Sequence, residues 1–133
     1  IMPHCESSQN FKSVLNGQSS GVFNGRTIVR EDSQKTNSKQ SNKNLLLSDQ
    51  AIMNSNPQLE IYADDVKCAH GSTTGALDNE ALFYMQSRGI NRKDSISLLI
   101  RGFVSELIND IKSEDLKNHL FIRFDRWLSN NNQ

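Results

Sequence analysis

Leu59-Glu60-Ile61-Tyr62-Ala63-Asp64-Asp65-Val66-Lys67-Cys68-Ala69-His70 alternates apolar and polar side chains, and soon after it ends, at Gly75, the chain changes to the spacing of helices. Leu59, Ile61 and Ala63 fall on one side and Glu60, Tyr62 and Asp64 on the other, the two-residue period of a strand with one buried face. The alternation slips at Asp64-Asp65, which marks a corner or bulge. Beyond it Val66, Cys68 and His70 share a face.

Downstream of Gly75, Asp78 is placed to cap a helix holding Ala81, Leu82 and Met85, with Leu77 and Leu82 as a hydrophobic staple and Gly89 as the stop. A second helix is expected after Asn91. Its Ile96, Leu99, Ile100, Phe103, Val104, Leu107, Ile108 and Ile111 recur in steps of three and one, the strongest periodic signal in the chain. Ser113 can cap a third helix whose Leu116, Leu120, Phe124, Trp127 and Leu128 form a complementary stripe. The sequence thus divides into a strand-rich part, 1–75, and a helical part, 76–133, a mixed β and α chain.

Upstream, Val14-Leu15-Asn16-Gly17 recurs as Val22-Phe23-Asn24-Gly25, each an apolar pair running into a turn dipeptide. Leu46-Leu47-Ser48-Asp49-Gln50-Ala51 resembles Ile61-Tyr62-Ala63-Asp64-Asp65-Val66 at a spacing of fifteen. Such short repeats fit a β-solenoid or a β-sandwich equally well. Glu31 to Asn44 is almost wholly polar and reads, on pattern, as a solvated loop.

The chain has 133 residues, 15 Lys and Arg against 15 Asp and Glu, and 35% hydrophobic residues; 40 positions are Ser, Asn or Gln. Zero net charge gives no general attraction to nucleic acid or anionic lipid. Apolar runs such as Leu45-Leu46-Leu47 and Leu98-Leu99-Ile100 fall far short of the roughly 20 residues a membrane-spanning helix needs. Cys5 and Cys68 are too few for a disulfide framework, which favours a reducing compartment. Ile1-Met2-Pro3-His4-Cys5 shows no secretory signal and does not resemble a natural start, so a fragment or processed chain is expected.

No phosphate-binding loop, nucleophile elbow or His-Glu-x-x-His zinc motif occurs. Asp64 and Asp65 are adjacent, so along an extended strand they point apart and cannot act as a paired acid and base without the corner. Cys68 and His70 are the exception. Two residues apart in an extended segment, a thiol and an imidazole project to one side, where both are suitable ligands for a soft metal. Two donors do not close a tetrahedral site, and His4, Cys5 and His119 are distant in sequence. On spacing alone a buried free cysteine beside a hydrogen-bonded histidine is the stronger reading, with Cys-His nucleophilic catalysis a third.

The run Gln58 to Gly71, followed by Gly75-Ala76-Leu77-Asp78 and Glu80-Ala81-Leu82-Phe83-Tyr84-Met85-Gln86-Ser87-Arg88-Gly89-Ile90, closely resembles the SufB/SufD family, and more narrowly its SufD branch. Gly21-Val22-Phe23-Asn24-Gly25, Gln34-Lys35-Thr36-Asn37 and Gln40 to Ser48 resemble the same family's late rungs. The SufB branch lacks the Asp-Asp-Val-Lys-Cys-x-His-Gly run at this place.

The resemblance implies the last rungs of a right-handed parallel β-helix followed by a C-terminal α-helical domain. It implies a non-enzymatic subunit of the SUF iron–sulfur cluster assembly complex, cytoplasmic or, in a eukaryote, plastid. Such a subunit pairs with SufB and docks the ATPase SufC, here through Glu80, Phe83, Tyr84 and Arg88, although Phe83 and Tyr84 fit a core role equally well. It further implies that His70, with Cys68 beside it, helps hold a transient nascent cluster shared with SufB, no cofactor being tightly bound in this chain. An open solenoid end also predicts self-association. Two other readings stand beside it: a β-helix hydrolase or polysaccharide-binding module, and a purely structural interaction module.

Overall fold

The computed structural model describes residues 3–131; Ile1 and Met2, part of the N-terminal stretch read as an unnatural start, lie outside the described residues. The chain falls into two compact units, Ile1–Gly75 and Ala76–Gln133. The fold is mixed β and α, with parallel sheets and three helices.

In the first unit five ten-residue strands follow one another: β1 (Glu6–Leu15), β2 (Ser20–Val29), β3 (Asn37–Leu46), β4 (Ile52–Ile61) and β5 (Lys67–Ala76). Odd strands form one open sheet in the order β1-β3-β5, and β2 and β4 form a second. Both ladders are parallel: Glu6 of β1 lies beside Asn37 of β3, and Ser20 of β2 beside Ile52 of β4. Strands therefore stack on the strand two before them, β3 on β1 at a repeat of 31 residues and β4 on β2 at 32, and β5 on β3 at 30. The fifteen-residue likeness in the sequence compares the ends of β3 and β4, half of that repeat.

Three sequence expectations are corrected here. The polar stretch expected as a solvated loop contains β3, the central strand of the larger sheet, and only the residues before Asn37 form a connection. Alternation was present but hidden, because β3 turns Ser38, Gln40, Asn42 and Asn44 inward and Lys39, Ser41 and Lys43 outward, polar on both faces. The eight-residue repeat is no pair of turns. Asn16-Gly17 is a turn, but Asn24-Gly25 lies within β2, where Gly25 pairs beside Pro57. Of the apolar set on β4 and its corner, Ala63 is buried, Leu59 half-buried and Ile61 exposed.

The buried amides and hydroxyls form a network between the sheets. Gln40 Nε2 donates to Gln9 Oε1 on β1 at 2.9 Å and to Thr27 Oγ1 on β2 at 3.2 Å. Asn42 Oδ1 accepts from Asn44 Nδ2, Ser55 Oγ on β4 and Ser72 Oγ on β5, at 2.6, 2.9 and 3.1 Å. A buried polar group left unpaired costs about 1–3 kcal/mol, so an interior of this kind holds only while its members bond one another.

The second unit contains α1 (Asn79–Ser87), α2 (Arg92–Ile108) and α3 (Glu114–Asn131). Asp78 caps α1 by accepting from the Glu80 and Ala81 N–H groups at 2.9 and 3.2 Å. Gly89, at a φ of 88°, ends it in a Schellman turn: its N–H bonds to Gln86 C=O, and Ile90 N–H to Met85 C=O. Asn91 caps α2 by accepting from Asp94 N–H at 2.9 Å. The apolar stripe of α2 is half-buried or buried throughout, with Ile100 and Ile108 the most enclosed, and Ile111 follows just past the helix. On α3, Leu128 is buried and Leu120, Phe124 and Trp127 are half-buried, whereas Leu116, placed on the stripe by spacing, is exposed in the first turn.

Candidate functional site

The edge strand β5 carries Cys68 and His70. Its position follows from one repeated hydrogen bond: Lys67 N–H donates to Thr36 C=O at 2.9 Å, as Asn37 N–H donates to Cys5 C=O at 2.9 Å. The β1–β3 register therefore continues, with Lys67 beside Asn37, Cys68 beside Ser38 and His70 beside Gln40. Ser72 and Thr74 fit the same register, because Ser72 Oγ bonds to Asn42 Oδ1 and Asn44 Nδ2 to Thr74 Oγ1.

Cys68 and His70 thus share the inward face of β5, as the two-residue spacing requires. Cys68 is a half-buried free thiol and His70 is exposed. The corner that precedes them is Tyr62 to Val66, held by an ion pair between Lys35 and Asp65 and by Asp65 N–H donating to Gln34 Oε1 at 3.0 Å. Asp64 and Asp65 are both exposed in this corner. Among the described residues, no three His, Cys, Asp or Glu side chains gather as a metal site. β5 thus places a thiol and an imidazole on one face of an edge strand, two of the four donors that a closed tetrahedral site needs. Cys5, His4 and His119 are all exposed.

A second cluster lies on α1. Phe83 is 74% and Tyr84 57% exposed, and Glu80 and Arg88 are exposed beside them. The Arg88 guanidinium stacks over the Tyr84 ring at 4.7 Å, one helical turn away. Asn79, Glu80, Phe83, Tyr84 and Ser87 line an apolar concavity. Leu82, by contrast, is buried. Spacing alone could not separate these roles, because three apolar residues in a row cover most of the helix circumference.

One charged pair on the second sheet is electrostatically tuned. Arg26 Nη2 on β2 meets both carboxylate oxygens of Glu60 on β4, at 2.6 and 2.7 Å. The hydrogen bond from Arg26 holds the Glu60 carboxyl below its ordinary range, and the same bond raises Arg26. Sequence reasoning missed this pair, whose signal is the β2–β4 register.

The inward companions of the site were missed as well: Ser72 and Thr74, further along β5 on the same face, bond Asn42 and Asn44 of β3, and Ser55 of β4 joins them at Asn42. Their signal was the 31-residue repeat, in which Ser7, Gln9, Lys12 and Leu15 of β1 each lie beside an identical residue of β3.

The family model described as SUF system FeS cluster assembly, SufBD core domain, matches residues 1–103. The chain is 41% identical over 124 residues to the iron-sulfur cluster assembly protein SufD of Escherichia coli, covering 93% of this chain and 29% of that protein. It is 39% identical over 118 residues to the iron-sulfur cluster assembly SufBD family protein slr0076 of Synechocystis, covering 89% of this chain and 26% of that one. Protein ABCI7, chloroplastic, of Arabidopsis thaliana is 38% identical over 105 residues, 79% of this chain and 22% of that protein. The chain spans less than a third of the length of these relatives. No helix among the described residues is long and apolar enough to cross a membrane.

Proposed function

This chain belongs to the SufBD core family of the SUF iron–sulfur cluster assembly system, and on that premise we propose that it is the C-terminal part of a SufD-like, non-catalytic subunit of the assembly complex. The observation that carries the reading is the match itself, which runs unbroken from β1 into α2 and includes the strand bearing Cys68 and His70. The strands, stacked in parallel at a repeat of 30 to 32 residues, are read as the last rungs of a right-handed β-helix, with α1 to α3 as the domain that follows it.

In this reading the nascent cluster is cargo. His70, exposed on the edge strand, supplies one ligand, the neighbouring Cys68 thiol is a candidate second, and SufB supplies the rest. An incomplete donor pair at a free edge is what a site shared between two chains requires. Exposed Phe83 and Tyr84, flanked by Glu80 and Arg88, are the proposed docking surface for SufC, which carries the ATP chemistry. Two aromatic rings and an arginine in one patch match the composition of binding hot spots. The complex works in the cytoplasm, or in the plastid of a eukaryote.

The test is the natural-length protein co-purified with SufB and SufC. His70→Ala is expected to leave the complex assembled while lowering the iron and sulfide recovered with it. Phe83→Ala with Tyr84→Ala is expected to release SufC, read by size-exclusion chromatography with light scattering. Normal iron and sulfide in an intact His70→Ala complex removes His70 from the mechanism, and undiminished SufC in the double variant removes the α1 patch.

A further inference from the structure

The inward face of β3 and the residue that precedes it hold four buried atoms with no hydrogen-bond partner in the protein: Thr36 Oγ1, Gln40 Oε1, Asn42 Nδ2 and Asn44 Oδ1. Gln40, Asn42 and Asn44 share one face of β3, and Thr36 just before the strand continues the same two-residue alternation. A single such atom is an exception in folded proteins, and four on one face call for a guest.

Exchanging the nitrogen and oxygen of an amide does not remove the deficit. Asn42 Oδ1 sits among Asn44 Nδ2, Ser55 Oγ and Ser72 Oγ. If the amide is turned over, Nδ2 takes that place and Oδ1 faces the direction that now holds no partner. The same holds for Asn44, whose Nδ2 faces Asn42 Oδ1, Thr73 C=O and Thr74 Oγ1, and for Gln40, whose Nε2 meets Gln9 and Thr27. In either orientation one end of each amide lacks a protein partner.

Another strand cannot supply the partners beside β3, because β1 and β5 already flank it. The guest is therefore small. Its chemistry follows from the atoms it must satisfy, which are a hydroxyl, two carbonyl oxygens and one N–H group, with no charged side chain buried among them. A cation would be matched by oxygen alone and an anion by N–H alone. Water donates and accepts. At the Thr36 end there is also space: a cavity of about 290 Å³ lies against Ser7, Gln9, Thr27, Thr36 and Ser38, and the charged residue in its wall, Arg26, is paired with Glu60.

We propose that the interior of the strand unit is a water-binding site, in which a file of ordered water molecules runs between the sheets from the cavity at Thr36 along Gln40 and Asn42 to Asn44. Buried waters of this kind make about three hydrogen bonds each and occur at about one per 27 residues. A file of roughly four is thus ordinary in number and unusual only in being lined up along one strand. It meets β5 at Ser72 and Thr74, on the face that carries Cys68 and His70.

The test is a crystal structure of the natural-length protein at a resolution that shows ordered solvent. Water is expected within hydrogen-bonding distance of each of the four atoms, and in solution oxygen-17 relaxation dispersion should count these as long-lived. Thr36→Val, nearly isosteric, is expected to lose the water at its end, and Asn42→Ser, smaller and still polar, to gain at least one. An interior without ordered solvent at these atoms, protein groups found in direct contact with them, or an unchanged count of long-lived waters in both folded variants overturns the proposal.

Discussion

Asn42 in the strand unit is 1% exposed and Ile100 in the helical unit 0%, so each sits at the centre of its own interior, yet one is an amide and the other a hydrocarbon. Among the described residues, those buried with Ile100 are Leu82, Ile108 and Leu128, with Ser95 as the one polar member, its hydroxyl bonded to Asn91 C=O at 2.9 Å. Those buried with Asn42 are Thr36, Ser38, Gln40 and Asn44, while Leu15, Val29, Leu45, Ala51 and Ala63 are held at strand ends and corners. Hydrophobic burial is non-directional and rewards covering a stripe wherever it falls. Amides on stacked parallel strands reward only the correct register, since a slip of one residue turns every one of them outward. The helical unit takes its stability from area and the strand unit its register from hydrogen bonds.

The contrast is broken most directly at Ile100. Ile100→Ala should destabilise the helical unit by about 2–5 kcal/mol, the usual range for truncating a fully buried isoleucine. Native-state hydrogen exchange at α2 amides measures it. A loss below about 1 kcal/mol would mean that the α2 stripe is not this unit's core. Asn42→Leu makes the opposite test, substituting a hydrocarbon of similar size. It deprives Asn44, Ser55 and Ser72 of their shared acceptor and should lower the protection of β3 amides by about 1–3 kcal/mol. A neutral or stabilising outcome would show that the polar interior has no energetic part in holding the strands.

Two glycines sharpen the same comparison through opposite signs. A Cβ on Gly25 would stand 2.7 Å from Gln40 Oε1 and 2.7 Å from the Phe23 ring, whereas a Cβ on Gly102 of α2 meets nothing within 4 Å. Gly25→Ala should therefore cost about 1–3 kcal/mol by overpacking. Gly102→Ala should stabilise by about 0.5–1 kcal/mol, because glycine in a helix interior gives up more chain entropy than alanine. Thermal unfolding of both variants checks the pair, and a tolerated alanine at Gly25 would show that Gln40 is free to move aside.

The same physics decided what could be read from the sequence. Asp78, Gly89 and Asn91 announced the helix ends because each residue type does one local job there, and the α2 stripe announced its face because an apolar period of 3.6 belongs to a helix with one covered side. The corner at Asp64-Asp65 and the shared face of Cys68 and His70 followed from alternation. Strand β3 did not, since its signal was polar against polar and its partners lie 31 residues away. Phe83 and Tyr84 stayed undecided for a related reason, that an aromatic residue on a helix looks the same in sequence whether covered or bare. The shared face of Cys68 and His70 was legible and their neighbours across the sheet were not.

The smallest effect expected lies on the outside of the strand unit, where Arg26 and Glu60 test whether charge adds to the register that the amides hold. Arg26 keeps the Glu60 carboxyl below its ordinary range. A carboxyl whose folded value is depressed contributes its stability above the unfolded value, about 4.3, and loses it as pH falls from there through the folded value. The pair is solvent-exposed, so screening keeps the contribution modest and salt should weaken it further. In Arg26→Ala the Glu60 carboxyl should titrate higher, back in the ordinary range, as followed by NMR of its side-chain carbon. The acid limb of the wild-type stability profile should flatten correspondingly between about pH 4.3 and the folded value. If Glu60 titrates alike in both proteins, the ion pair carries no weight in solution, and the β2–β4 register rests on backbone and packing alone.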